Sequence, residues 1–146
     1  MEVAMQSRSG FALALMAALA ISSYPAKAQS ADEQLAQDVV TRQLEAFLSG
    51  DFEQAYSYAS PDIRKIFPTL DRFMAMVQTG YLPVLRPGNY AFGRVERLAD
   101  GRLVWEVMIN GPDGSDYTAA YFMEMQPDGS WKVDAVTMRR GAAGMT

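Results

Sequence analysis

The chain has 146 residues, 13 basic and 17 acidic side chains, and neither histidine nor cysteine. That length suits one modest domain, and the acidic balance with scattered basic residues argues against a nucleic-acid partner. The two missing residue types exclude disulfides, most zinc and copper sites, and Ser-His or Cys-His nucleophile pairs. No cofactor or metal is expected, and any catalysis would fall to Asp, Glu, Tyr, Lys or Arg.

Residues 1–28 read as a secretory signal peptide. Arg8 supplies the positive start, Phe11–Ile21 the apolar run and Ala26-Lys27-Ala28 the small-x-small cleavage site. Eleven apolar residues fall well short of the roughly 20 that span a bilayer, so no stable membrane anchor is expected. Cleavage between Ala28 and Gln29 would leave residues 29–146 as a single exported domain, periplasmic or secreted.

Helices come first. Ser30 and Glu33 form a capping box, Gly50 is a stop, and Ala36, Val40, Leu44 and Phe47 make one apolar stripe between them. Asp51 caps a shorter segment carrying Phe52, Ala55, Tyr56 and Ala59. Ser60-Pro61 restarts the chain for a turn or two through Ile63 and Phe67. Thr69 caps a third helix in which Leu70, Phe73, Met74 and Val77 follow helical spacing up to Gly80. Residues 81–89, with two prolines and a glycine, read as an irregular connector. Its stretch Tyr81-Leu82-Pro83-Val84-Leu85 is either a strap over the core or the rim of a pocket.

Four strands follow: Tyr90–Leu98, Leu103–Asn110, Tyr117–Gln126 and Trp131–Met138. Pro112-Asp113-Gly114 and Pro127-Asp128-Gly129 suit three-residue hairpin loops, a type I turn followed by a left-handed glycine. This alignment sets Trp105 opposite Tyr121, Ile109 opposite Tyr117, Met123 opposite Val133 and Tyr121 opposite Ala135. It also lines up Arg102, Glu124 and Lys132 as an alternating charged row on the other face. The first strand stays open: an Ala99-Asp100-Gly101 loop puts Arg94 beside Glu106, and a two-residue Asp-Gly turn puts Val95 there.

One face then gathers Leu103, Trp105, Val107, Ile109, Tyr117, Ala119, Tyr121, Met123, Met125, Trp131, Val133 and Ala135, and needs cover from the helices. The opposite face mixes charges with Val104, Glu106, Met108, Phe122, Val136 and Met138. Those six define the expected surface for a homodimer. The fold class is α+β: three N-terminal helices packed on a curved four-stranded antiparallel meander.

Helices, a connector and a meander ending in Gly129-Ser130-Trp131-Lys132-Val133 resemble the nuclear transport factor 2-like superfamily, the ketosteroid-isomerase-like cone. Within it the chain is similar to an exported bacterial family known as a domain of unknown function, number 4864. The matching stretches are Ala46-Phe47-Leu48-Ser49-Gly50-Asp51, Ala55-Tyr56 through Ser60-Pro61, and Pro127 through Trp131. The resemblance implies a cone-shaped, cystatin-like roll whose wide mouth can hold a pocket. Polar handles for a small apolar ligand there would be Tyr56, Tyr81, Trp105, Tyr117, Tyr121 and Trp131, with Tyr58 and Thr137 as further candidates. The same rings serve equally as core filling.

Two functions remain open at this level. One is a non-catalytic domain binding a small apolar ligand or a protein partner. The other is a small-molecule lyase or isomerase using acid–base chemistry, which needs a buried carboxylate in the pocket. The inferred alignment turns Glu106, Glu124 and Asp134 away from it, leaving Asp38 or Glu45 as the base.

Overall fold

The computed structural model describes residues 29–141, so the expected signal peptide lies outside the described residues. The first helix, α1, spans Ala31–Ser49. Ser30 Oγ accepts from the Glu33 backbone N–H at 3.1 Å while the Glu33 side chain reaches back to the Ser30 N–H. The expected stripe Ala36, Val40, Leu44 and Phe47 is buried. Two short helices follow, α2 (Phe52–Ser57), capped by Asp51, and α3 (Pro61–Ile66), capped by Ser60 with proline in its first turn. Thr69 caps α4 (Leu70–Gly80), which buries Phe73, Met74 and Val77.

The helix count differs from the expectation of three: five are formed among the described residues. The segments after Asp51 and Ser60 are separate helices, and the connector contains a fifth, α5 (Leu82–Leu85). Pro83 falls in its first turn, where a missing N–H costs nothing, and Arg86, which stands before Pro87, caps its end. Pro83, Val84 and Leu85 are buried, so this stretch straps the core.

Strands β1 (Tyr90–Arg97), β2 (Leu103–Asn110), β3 (Asp116–Met125) and β4 (Trp131–Arg140) form one antiparallel sheet in sequential order. The three hairpin loops share one construction. Leu98, Gly111 and Gln126 each donate to the carbonyl four residues on, and Gly101, Gly114 and Gly129 adopt φ of +92°, +79° and +86°. Within each loop the aspartate accepts the backbone N–H two residues ahead: Arg102 to Asp100, Ser115 to Asp113 and Ser130 to Asp128, at 2.9–3.0 Å. These bonds favour the ionised carboxyl and hold all three below the usual aspartate range. The backbone N–H is the largest cause for Asp100 and Asp113, and the Ser130 side chain for Asp128.

The folded values lie below the unfolded one. The stabilisation is therefore present above the unfolded aspartate pKa of about 3.9 and lost as pH falls through the lower folded values. Asparagine keeps the acceptor oxygen and removes the titration. Urea unfolding of the triple variant Asp100→Asn, Asp113→Asn, Asp128→Asn should show a flatter loss of stability below pH 4 than the parent. Identical acid limbs would mean that these corners do not couple folding to pH.

The loops set the alignment at their ends. Trp105 lies opposite Tyr121, Ile109 opposite Tyr117, Met123 opposite Val133 and Glu124 opposite Lys132. Between β1 and β2, Val95 pairs with Trp105 and Arg97 with Leu103, which corresponds to the three-residue Ala99-Asp100-Gly101 loop. The register then shifts between Phe92 and Val95. Gly93 lies against Glu106 there, where a Cβ would come within 3.2 Å of that carboxylate.

A second bulge corrects the β4 faces. The register shifts at Phe122/Met123, so Tyr121 faces Val136 rather than Ala135, and Ala119 faces Met138. Val136 and Met138 therefore pack against the helix-covered core and leave the expected dimer face. Thr137 pairs with Ala120 and is exposed on the other face. Of the six dimer residues, Val104, Glu106, Met108 and Phe122 remain there, each half-buried. Met125 also departs from its expected place inside, being 46% exposed at the strand end.

The free edge of β4 is partly covered. Ala59 forms a parallel bridge with Val133: the Ser60 N–H donates to the Val133 carbonyl and the Val133 N–H to the Tyr58 carbonyl, both at 2.8 Å. This tie fixes α2 and α3 beside the strand that walls the cavity.

Candidate functional site

The helices do not close completely on the sheet. Between α1, α3, α4, α5 and β4 lies a cavity of about 190 Å³. Phe47, Ile63, Phe67, Phe73, Val77, Val84, Val133 and Val136 form most of its wall. The β4 bulge presents both Ala135 and Val136 to it, so the register shift that takes Val136 off the expected dimer face also builds the cavity wall.

Two polar side chains line it, Gln43 and Tyr81. Gln43 is 3% exposed, and its Nε2 donates to the Ala55 carbonyl at 3.1 Å. A carbonyl only accepts, so that bond assigns the nitrogen and leaves Oε1 as an acceptor for another donor. Tyr81 caps the end of α4, its N–H bonded to the Val77 carbonyl.

Of the six residues expected to line a pocket, only Tyr81 does so among the described residues. Tyr56 sits just behind the wall, its ring 4.9 Å from that of Phe73 and its hydroxyl donating to the Phe67 carbonyl. Trp105 is core: its Nε1–H donates to the Glu33 carbonyl at 3.0 Å and its ring meets Phe92 edge-on. Tyr117 stands at the hairpin end, donating to Asp113 at 2.8 Å beneath the Arg140 guanidinium. Tyr121 and Trp131 are fully buried, and neither the Tyr121 hydroxyl nor Trp131 Nε1 has a protein partner among the described residues. Burial raises the Tyr121 pKa, so the group stays a neutral phenol. Tyr58 accepts from Gln54 at 2.9 Å, on the exposed side of α2.

Gln43 was legible and missed. It stands three residues after Val40 and four before Phe47, on the apolar stripe itself, where a polar residue needs a reason. No lining residue is a carboxylate. Asp38 accepts from Gln34 at 2.9 Å on the helix surface, and Glu45 is exposed. Tyr117 does have a carboxylate partner, but Asp113 is an exposed turn residue.

The sheet's outer side brings together three carboxylates that the sequence does not associate. Asp62, Glu124 and Asp134 place oxygens within 4.8 Å of one another. Asp134 accepts from Ser60 Oγ and Arg102, Glu124 accepts from Gln126, and Asp62 forms an exposed ion pair with Lys65. The cluster is thus compensated locally.

A helical layer over a four-stranded antiparallel meander, with a mostly apolar cavity against the last strand, defines the class: an α+β domain. The chain belongs to the family described as Domain of unknown function (DUF4864), which it matches over residues 29–145. No curated protein and no solved structure matches the chain.

Proposed function

We propose that this is an exported, non-catalytic domain that holds a small apolar ligand in the cavity beside β4. The observation that carries the reading is the cavity itself, about 190 Å³ walled by aliphatic and aromatic side chains with the Gln43 amide set among them. An engineered apolar cavity of about 150 Å³ binds benzene, whereas drug-sized ligands need roughly 300 Å³ or more. The occupant is accordingly a single ring or a short alkyl chain with at most one hydrogen-bond donor for Gln43 Oε1. Tyr81 is the one titratable side chain on the wall, so the lining offers no general base for the lyase or isomerase alternative.

Export is supported by the pattern of residues 1–28, and no described helix is long and apolar enough to cross a membrane. The helices-then-meander order is the support for a nuclear transport factor 2-like cone.

Binding of 1-hexanol tests the reading. A ligand that binds only the folded state, at a hundredfold excess over its Kd, adds about 2.7 kcal/mol. A rise of several degrees in Tm is the expected result. Ala135→Phe should fill the cavity and abolish the rise while the variant still unfolds cooperatively. An equal rise in parent and filled variant would locate binding elsewhere and overturn the proposal.

A further inference from the structure

An open groove adjoins the cavity, and the groove carries a charge. Phe67, Met76 and Tyr81 line the cavity and also the open groove that runs between the end of α3 and one face of α4. Cavity and groove therefore adjoin across these three side chains. Among all the residues lining either part, Arg72 is the single charged side chain. It stands four residues before Met76, on the same face of α4 and about 6 Å away along the helix axis.

Arg72 is exposed, and two features of its placement bear on what the groove can hold. It makes no ion pair among the described residues, whereas Lys65 pairs with Asp62 and Arg64 lies over the Tyr56 ring with a bond to the Tyr56 carbonyl. It also occupies the third position after the Thr69 cap, in the first turn of α4, where the helix dipole disfavours a cation. An anion there would gain from the guanidinium and from the helix end together.

We infer that the ligand is a small amphipathic anion, its apolar body in the cavity and its carboxylate in the groove against Arg72. This proposal rests on the cavity reading above and adds the polarity and charge of the head group. A head group in the groove also explains how one end of the ligand stays solvated in a site whose inner wall is almost wholly apolar.

The test compares hexanoate, 1-hexanol and hexylamine on the protein and on Arg72→Gln, by calorimetric titration at low ionic strength. The chain is acidic overall, so its long-range field favours the amine, and a preference for hexanoate isolates the local arginine. Hexanoate should bind most tightly, and Arg72→Gln should weaken it about tenfold while leaving 1-hexanol unchanged. Arg72→Lys should restore part of the loss. Hexanoate and 1-hexanol binding equally, or both weakening together in Arg72→Gln, would overturn the anionic head group and leave the cavity reading standing. Absence of binding by all three compounds would overturn both.

Discussion

Trp105→Ala is expected to destabilise the domain by about 3–5 kcal/mol, the range for emptying a fully buried aromatic site. The indole is 1% exposed near the start of β2, with the Phe92 ring edge-on at 5.4 Å. Its Nε1–H donates to the Glu33 carbonyl, so the same side chain fills the space under the helices and ties the start of α1 to the sheet. Alanine removes the ring's contacts with the core, leaves a cavity and breaks that tie. Domains of this size are stable by about 5–15 kcal/mol, so the variant should sit near the edge of folding. Trp105→Phe keeps most of the buried area and should cost only about 1–2 kcal/mol, chiefly the hydrogen bond. Urea unfolding measures both. A loss below 1 kcal/mol for the alanine variant would be incompatible with Trp105 pointing beneath the helices.

Ser60→Ala is expected to cost about 2–3 kcal/mol, a large effect for the loss of one oxygen. The residue is fully buried and its hydroxyl has two roles. It accepts from the Ile63 N–H at 3.3 Å as the cap of α3, and it donates to Asp134 at 2.8 Å. Capping alone contributes about 1 kcal/mol. The rest comes from Asp134, whose side chain is 14% exposed and whose remaining partner is Arg102 at 3.2 Å. Losing the hydroxyl leaves a mostly buried carboxylate short of a donor, beside Glu124 and Asp62. Because the residues touch, Ser60→Ala and Asp134→Asn should not add in a double-mutant cycle. Additivity within about 0.3 kcal/mol would show that the hydroxyl acts only as a cap.

Much of the architecture was readable because its signals are local. Ser30, Asp51, Ser60 and Thr69 each stand where a side-chain oxygen can satisfy a backbone N–H two or three residues ahead, and all four do so. The turns around Asp113 and Asp128 determined which β2, β3 and β4 residues pair near them, since a hairpin's register follows from its loop length.

A local pattern that permits two answers leaves the arrangement to the tertiary structure. Residues 133–138 (VDAVTM) carry apolar side chains in both phases of a strand: Val133 and Ala135, then Val136 and Met138. Alternation alone cannot show where one phase yields to the other. The bulge opposite Phe122/Met123 decides it, near the point where Tyr58 and Ser60 bond to the outer edge of Val133. Pro83 misled in a similar way, because a proline that forbids a helix interior is acceptable in its first turn.

The candidate site was less legible than the fold. Aromatic hydroxyls on the inner face looked available as ligand handles, yet Tyr56 and Tyr117 spend theirs on neighbours and Trp105 spends its N–H on α1. Whether a buried polar atom is free depends on partners tens of residues away, which spacing cannot reveal. By itself the sequence determined the helix caps, the pairing next to each hairpin turn and the gathering of large rings on one face, because these follow from interactions within a few residues or across a single turn. Only the tertiary structure decided that the space left unfilled lies against β4, with Gln43 inside and Arg72 in the groove beside it. That space is the residue of imperfect closure between several helices and a bulged strand, a property of how their surfaces meet.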